Sequence, residues 1–158
     1  MLQRKNNEKG FTIIEVVLVL AIAGLIFLVV FLALPALQRS QRDTQRKQDA
    51  SRFAAQIQNY QSSNKGELPT AVAGTTAPAV NAFIDSYLRA NQDKFADPRG
   101  PNYSAIFTGT PTNPTDGKFV YQTGSKCDGS AITTTGAGAR DWAAQFLLEG
   151  GGTFCVGS

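Results

Sequence analysis

A single carboxylate, Glu15, stands five residues after Gly10 and directly before Val16, where a run without charged or strongly polar side chains begins and lasts to Leu34. An ionisable group entering hydrocarbon either takes up a proton or finds a cation, so the chemistry expected of Glu15 is charge pairing. Nothing in the chain points to catalysis. There is no histidine, no C-x-x-C metal pattern, no phosphate loop and no Ser-His-Asp set. Asp85, Asp93, Asp97, Asp116 and Asp128 are scattered without a ligand order, and no EF-hand loop accompanies them. The expectation is therefore a non-enzyme with no catalytic residue, cofactor or metal site.

The element that must position Glu15 is GFTIIEVVLVLAIAGLIFLVVFLALPAL, from Gly10 to Leu37. Its apolar part has the length of a membrane-crossing helix. Gly24 costs such a helix only about 1 kcal/mol of propensity. Pro35 removes an N–H donor and crowds the preceding turn, so a bend or loosening is expected there.

Basic leader, glycine, aromatic residue, lone glutamate and long apolar run occur in that order in KGFTIIEVVLVLAIAGLI, which resembles the N-terminal motif of type IV pilins and pseudopilins. The resemblance implies a leader cut off after Gly10 by a prepilin peptidase, N-methylation of Phe11 as the new first residue, and a role for Glu15 in assembly. It implies as partners the peptidase/methylase, an inner-membrane assembly platform, membrane lipid before assembly, and further copies of the chain in a helical filament. The physical content is simple: the Phe11 amine and the Glu15 carboxylate attract strongly where the dielectric is low. Glu15 can act within its own chain, where first-turn N–H groups are free, or on a neighbouring copy. An ordinary secretory signal cut near Ala21-Ile22-Ala23 leaves the apolar run from Leu25 to Leu34 unexplained. A plain membrane anchor gives Gly10 and Glu15 no role.

The function implied is a structural pilin whose filament supports adhesion, twitching motility or DNA uptake, located in the cytoplasmic membrane as a single-pass precursor with an extracytoplasmic head and then in an extracellular pilus. The alternatives are a pseudopilin of a type II secretion system or minor initiating pilin, and a membrane-anchored extracytoplasmic binding domain. Charge gives DNA weak support. The formal +3 falls to about +1 once Arg4, Lys5, Lys9 and Glu8 leave with the leader. Those leader cations mark the cytoplasmic side, although the opposite flank is basic too.

The fold class expected is α+β: a long N-terminal helix, membrane-spanning in its first half, packed on a small antiparallel sheet. Residues 1–10 form the leader, 11–62 the helix with its membrane and assembly portion at about 11–35, and 63–158 the head. Beyond Pro35, Ala50, Phe53, Ala54, Ile57 and Tyr60 recur at helical spacing and should face the head. Arg39, Arg42, Arg46, Lys47 and Arg52, with Asp43 and Asp49, should form a solvated face, and Asp43 and Lys47 are placed for an i,i+4 pair. A helix from 11 to 62 would be on the order of 75 to 80 Å long.

Turn signals at Asn64, Gly66 and Pro69 end the helix. A second helix is predicted over APAVNAFIDSYLRANQ, with Val80, Phe83, Ile84, Tyr87 and Leu88 as its apolar stripe. YSAIF and GKFVYQTG read as strands around the loop GTPTNPTDG, and KCDGSAITT holds one more. WAAQFLL and TFCVGS read as two strands joined at Gly150-Gly151-Gly152, although WAAQFLL also fits a short helix. Tyr60, Phe83, Tyr87, Phe119, Tyr121, Trp142, Phe146 and Phe154 are candidate core and filament contacts. Asn102-Tyr103-Ser104 matches a glycosylation sequon but is weak as a modified site. Two cysteines in an exported chain argue for one disulfide, Cys127 to Cys155, and the resembled family often carries one in its C-terminal region.

Overall fold

The computed structural model describes residues 10–69, 78–90, 93–107 and 113–158. The leader residues 1–9, parts of the Thr70–Gly117 loops and the last two residues of the expected second helix lie outside them. The chain divides into two units, Met1–Gln38 and Arg39–Ser158.

Helix α1 runs over Ile13–Ser63 and carries Pro35 inside it. In the first unit its side chains are almost all exposed, from Ile13 at 85% to Leu37. Such exposure of large apolar groups is unstable in water, at roughly 25 cal/mol for each Å² left uncovered. In the second unit one stripe of the same helix goes inward at Arg46, Asp49, Ala50, Phe53 and Ile57. The expected apolar stripe is thus the packed one, extended by two charged residues.

The helix stops at a left-handed turn. Gly66 N–H reaches back to the Gln61 carbonyl at 2.8 Å, while Lys65 takes a φ of 55° in the αL region. That wrap around the last carbonyls is a Schellman-type C-cap, with lysine where glycine is usual. Helix α2 spans Pro78–Tyr87 and buries Val80, Phe83 and Ile84, as its stripe predicts, with Leu88 buried just past its end.

Among the described residues six strands follow: β1 Ser104–Ile106, β2 Lys118–Thr123, β3 Lys126–Asp128, β4 Ala131–Thr133, β5 Trp142–Leu147 and β6 Thr153–Gly157. The main sheet has the order β1-β2-β5-β6, and β3 with β4 forms a separate hairpin. Trp142–Leu147 is therefore strand, not the alternative short helix. KCDGSAITT holds two strands rather than one, because Gly129 takes a positive φ of 59° and turns the chain between them. The β2–β5 and β5–β6 pairs are antiparallel, as expected, but β1 lies parallel to β2. The sheet is mixed rather than wholly antiparallel: the connection 107–117 is long enough to return the chain to the same end before β2 begins. At the end of β6, a Cβ on Gly157 would come 2.4 Å from the Trp142 carbonyl oxygen, so the strands close up only around glycine.

Phe53 is the centre of the core. Its ring lies 5.0 Å from Phe119, 5.6 Å from Tyr121, 5.9 Å from Trp142, 6.0 Å from Phe83 and 6.4 Å from Phe95, mostly edge to face. One helix residue thus fastens α1 to α2, to β2 and β5, and to the 93–103 segment. Of the aromatics expected in the core, Tyr87 is exposed, while Tyr60 and Phe154 pack at its margin. Phe95 and Tyr103 are buried in addition.

Candidate functional site

The chemistry at the N-terminal end starts with Thr12 and Glu15. The Thr12 backbone N–H and its hydroxyl each donate to Glu15 Oε2 at 2.9 Å, and Glu15 N–H points back at Thr12 Oγ1 at 3.4 Å. This is a capping box: the residue before the first turn and the residue three further on satisfy each other's free groups. It leaves Oε1 outside the box. Thr-x-x-Glu before an apolar run carries that signal in sequence, though Thr12 is inconspicuous beside the lone carboxylate.

Gly10 and Phe11 precede the helix, and both are exposed. A Cβ built on Gly10 would meet nothing within 4 Å, and its backbone does not need a positive φ. The fold itself does not require glycine there. Beyond Glu15 the apolar side chains of α1 are exposed, and this helix is long and apolar enough to cross a membrane.

The second constellation fixes α1 within the Arg39–Ser158 unit. Arg46, 1% exposed, donates from Nε and Nη2 to both oxygens of Asp97 at 2.7 and 3.0 Å, from Nη2 to Glu149 at 2.8 Å and from Nη1 to Asp43 at 2.9 Å. Arg42 adds a bidentate grip on Glu149 at 2.8 and 2.9 Å. Asp43 in turn accepts the backbone N–H groups of Glu149 and Gly150, each at 2.8 Å. A Cβ on Gly150 would stand 3.1 Å from Asp43 Oδ2, so glycine keeps that approach open. Burial works against the Arg46 charge, but the surrounding carboxylates outweigh it and hold its pKa above the usual arginine range. The Arg42 contact drives Glu149 down to about 2, against its own burial.

This network corrects the expected solvated face. Arg46 and Asp49 point inward, and Arg42 and Asp43 are half-buried. Asp43 pairs with Arg46 rather than Lys47, whose ammonium lies 5.9 Å from the Phe154 ring centre. The partners are Asp97 and Glu149, 51 and 103 residues away, which no helical spacing can reveal.

Cys127 and Cys155 are joined, with Cα atoms 5.7 Å apart. The bond ties β3 to β6, and at the hairpin's turn Gln145 and Thr153 side chains both donate to the Ser130 carbonyl. Among the described residues, no group of three or more His, Cys, Asp or Glu is placed to hold a metal ion.

A family model described as the prokaryotic N-terminal methylation motif matches residues 5–31, a stretch that includes Gly10, Phe11 and Glu15. No curated protein and no solved structure matches the chain. The motif is a structural signature without catalytic content, and it implies a prepilin peptidase/methylase and a membrane context. Together with the long apolar helix and the small C-terminal sheet, it matches a type IV pilin-like architecture, that of a pilin or pseudopilin structural subunit.

Proposed function

We propose that the chain is the subunit of a type IV pilus, polymerised into a helical filament through its membrane and assembly portion at about residues 11–35. The observation that carries this is the uncovered apolar length of α1 together with the single carboxylate at its start. Lipid covers that surface before assembly, and the same segments of other copies cover it afterwards. Cleavage follows Gly10, whose missing side chain serves the peptidase, since nothing in the fold asks for glycine there. Phe11 then carries the methylated amine. Glu15 keeps Oε2 on Thr12 and offers Oε1 to the Phe11 amine of a neighbouring copy, which sets the axial register of each added subunit. Pro35 loosens the helix where the apolar length ends, letting it adjust on leaving the bilayer. The head lies outside the cytoplasm, and the pilus it joins serves attachment, surface movement or DNA uptake.

Clean deletion of the gene, followed by filament imaging and a surface-attachment assay, tests this. The expected result is loss of filaments and of attachment or movement. Filaments that persist in normal number would reject the pilus-subunit assignment in favour of a pseudopilin or a minor pilin.

A further inference from the structure

Asp49 lies one turn beyond Arg46 on α1, and its side chain is 8% exposed. One carboxylate oxygen has Arg52 at 3.4 Å, a long contact, and the other has no hydrogen-bond partner among the described residues. Arg52 is drawn elsewhere: it donates to Asp93 at 2.6 Å and to the Lys94 carbonyl at 3.2 Å. Arg46, the other cation on this face, is taken up by Asp97, Glu149 and Asp43. From the opposing 93–103 segment, Asp93 and Asp97 act on Asp49 with like charge. Tyr103, which senses the Asp49 and Asp97 charges, has a buried hydroxyl that also lacks a hydrogen-bond partner among the described residues. A buried carboxylate so placed is poorly compensated, because its one cation is shared and its other neighbours are acidic or neutral.

We propose that Asp49 is a proton-binding site of the head, and that its protonation tightens the packing of α1 against the 93–103 segment. The neutral carboxyl removes like-charge repulsion with Asp93 and Asp97 and brings an O–H donor into a cluster rich in acceptors. A groove of about 510 Å³, lined by Gln45, Gln48, Asp49 and Arg52 among others, gives protons a route from solvent. Burial raises the Asp49 carboxyl to about 6 from its ordinary 3.8, with Arg52 only partly opposing it. A raised carboxyl pKa makes the folded state bind more protons than the unfolded one, so stability is fully present below the ordinary value and is lost as pH rises through 6. The folding constant should fall by up to about a hundredfold over that window. This holds for the single chain, whether or not filaments assemble.

Carbon-13 NMR of aspartate carboxyls in the full chain in detergent micelles tests the site, with Asp49→Asn as the assignment and a thermal melt at each pH as the second readout. The expected result is one carboxyl with a midpoint above 5 that disappears in Asp49→Asn. The variant should also melt higher than wild type at pH 7.5, with a flat profile between pH 5 and 7.5. If every aspartate titrates below 5, or if Asp49→Asn melts lower than wild type at pH 7.5, the proposal is wrong. Should the variant not fold, the wild-type titration alone decides.

Discussion

At the residue scale, Arg46 is the side chain on which the second unit depends for polar order. It is enclosed with three carboxylates, so removing it strands buried charge, which typically costs about 3 to 5 kcal/mol. Arg46→Ala should lower stability by that amount in denaturant melts followed by Trp142, the only tryptophan and a buried one. A loss under about 1 kcal/mol would mean the carboxylates find other partners. Glu149 makes the matching pH prediction. Its folded pKa of about 2 lies below the ordinary 4.5, so its stabilisation is present above 4.5 and is lost as pH falls toward 2. Acid melts of Glu149→Gln should lack that loss between pH 4.5 and 2, while wild type shows it. None of this was legible in sequence. Arginines and aspartates at helical spacing read as a wet face, and only the fold brings Asp97 and Glu149 to them. Glu15 was legible, because a lone charge against an apolar run needs no tertiary partner to be conspicuous.

At the element scale, α1 and the last two strands follow from local pattern. Apolar spacing sets the buried stripe of α1, and Gly150-Gly151-Gly152 breaks the chain between β5 and β6. The parallel pairing of β1 and β2 was not legible, since it depends on where a long connection returns rather than on alternation within either strand. The β3–β4 turn was missed because two three-residue strands carry too little alternation to separate from a loop. Phe53→Ala removes the ring shared by α1, α2, β2 and β5, and should cost about 3 to 5 kcal/mol. The disulfide closes a separation of 28 residues, worth about 3 to 4 kcal/mol on the chain-entropy account. Reduction should therefore raise hydrogen exchange first in β3, β4 and β6, leaving the Ala50–Ile57 stretch of α1 protected. Equal exchange gains throughout α1 and the hairpin would show that the bond holds the whole unit rather than one edge.

At the scale of the whole molecule, the chain joins an apolar helical length whose described side chains are exposed to a head with its own aromatic core. On the proposed function, lipid or other copies bury that length, and Glu15 tells the two apart. Glu15→Ala should insert into membrane at wild-type level, because the helix only becomes more apolar, yet yield few or short filaments. Normal filament number and length from that variant would remove Glu15 from assembly. Processing after Gly10 and incorporation into filaments are both read by intact-mass and N-terminal peptide analysis of filaments sheared from the cell surface. The expected subunit begins at N-methylated Phe11, with Cys127 and Cys155 linked. Filaments that lack this chain, or a mature N-terminus following Ala23, would contradict it.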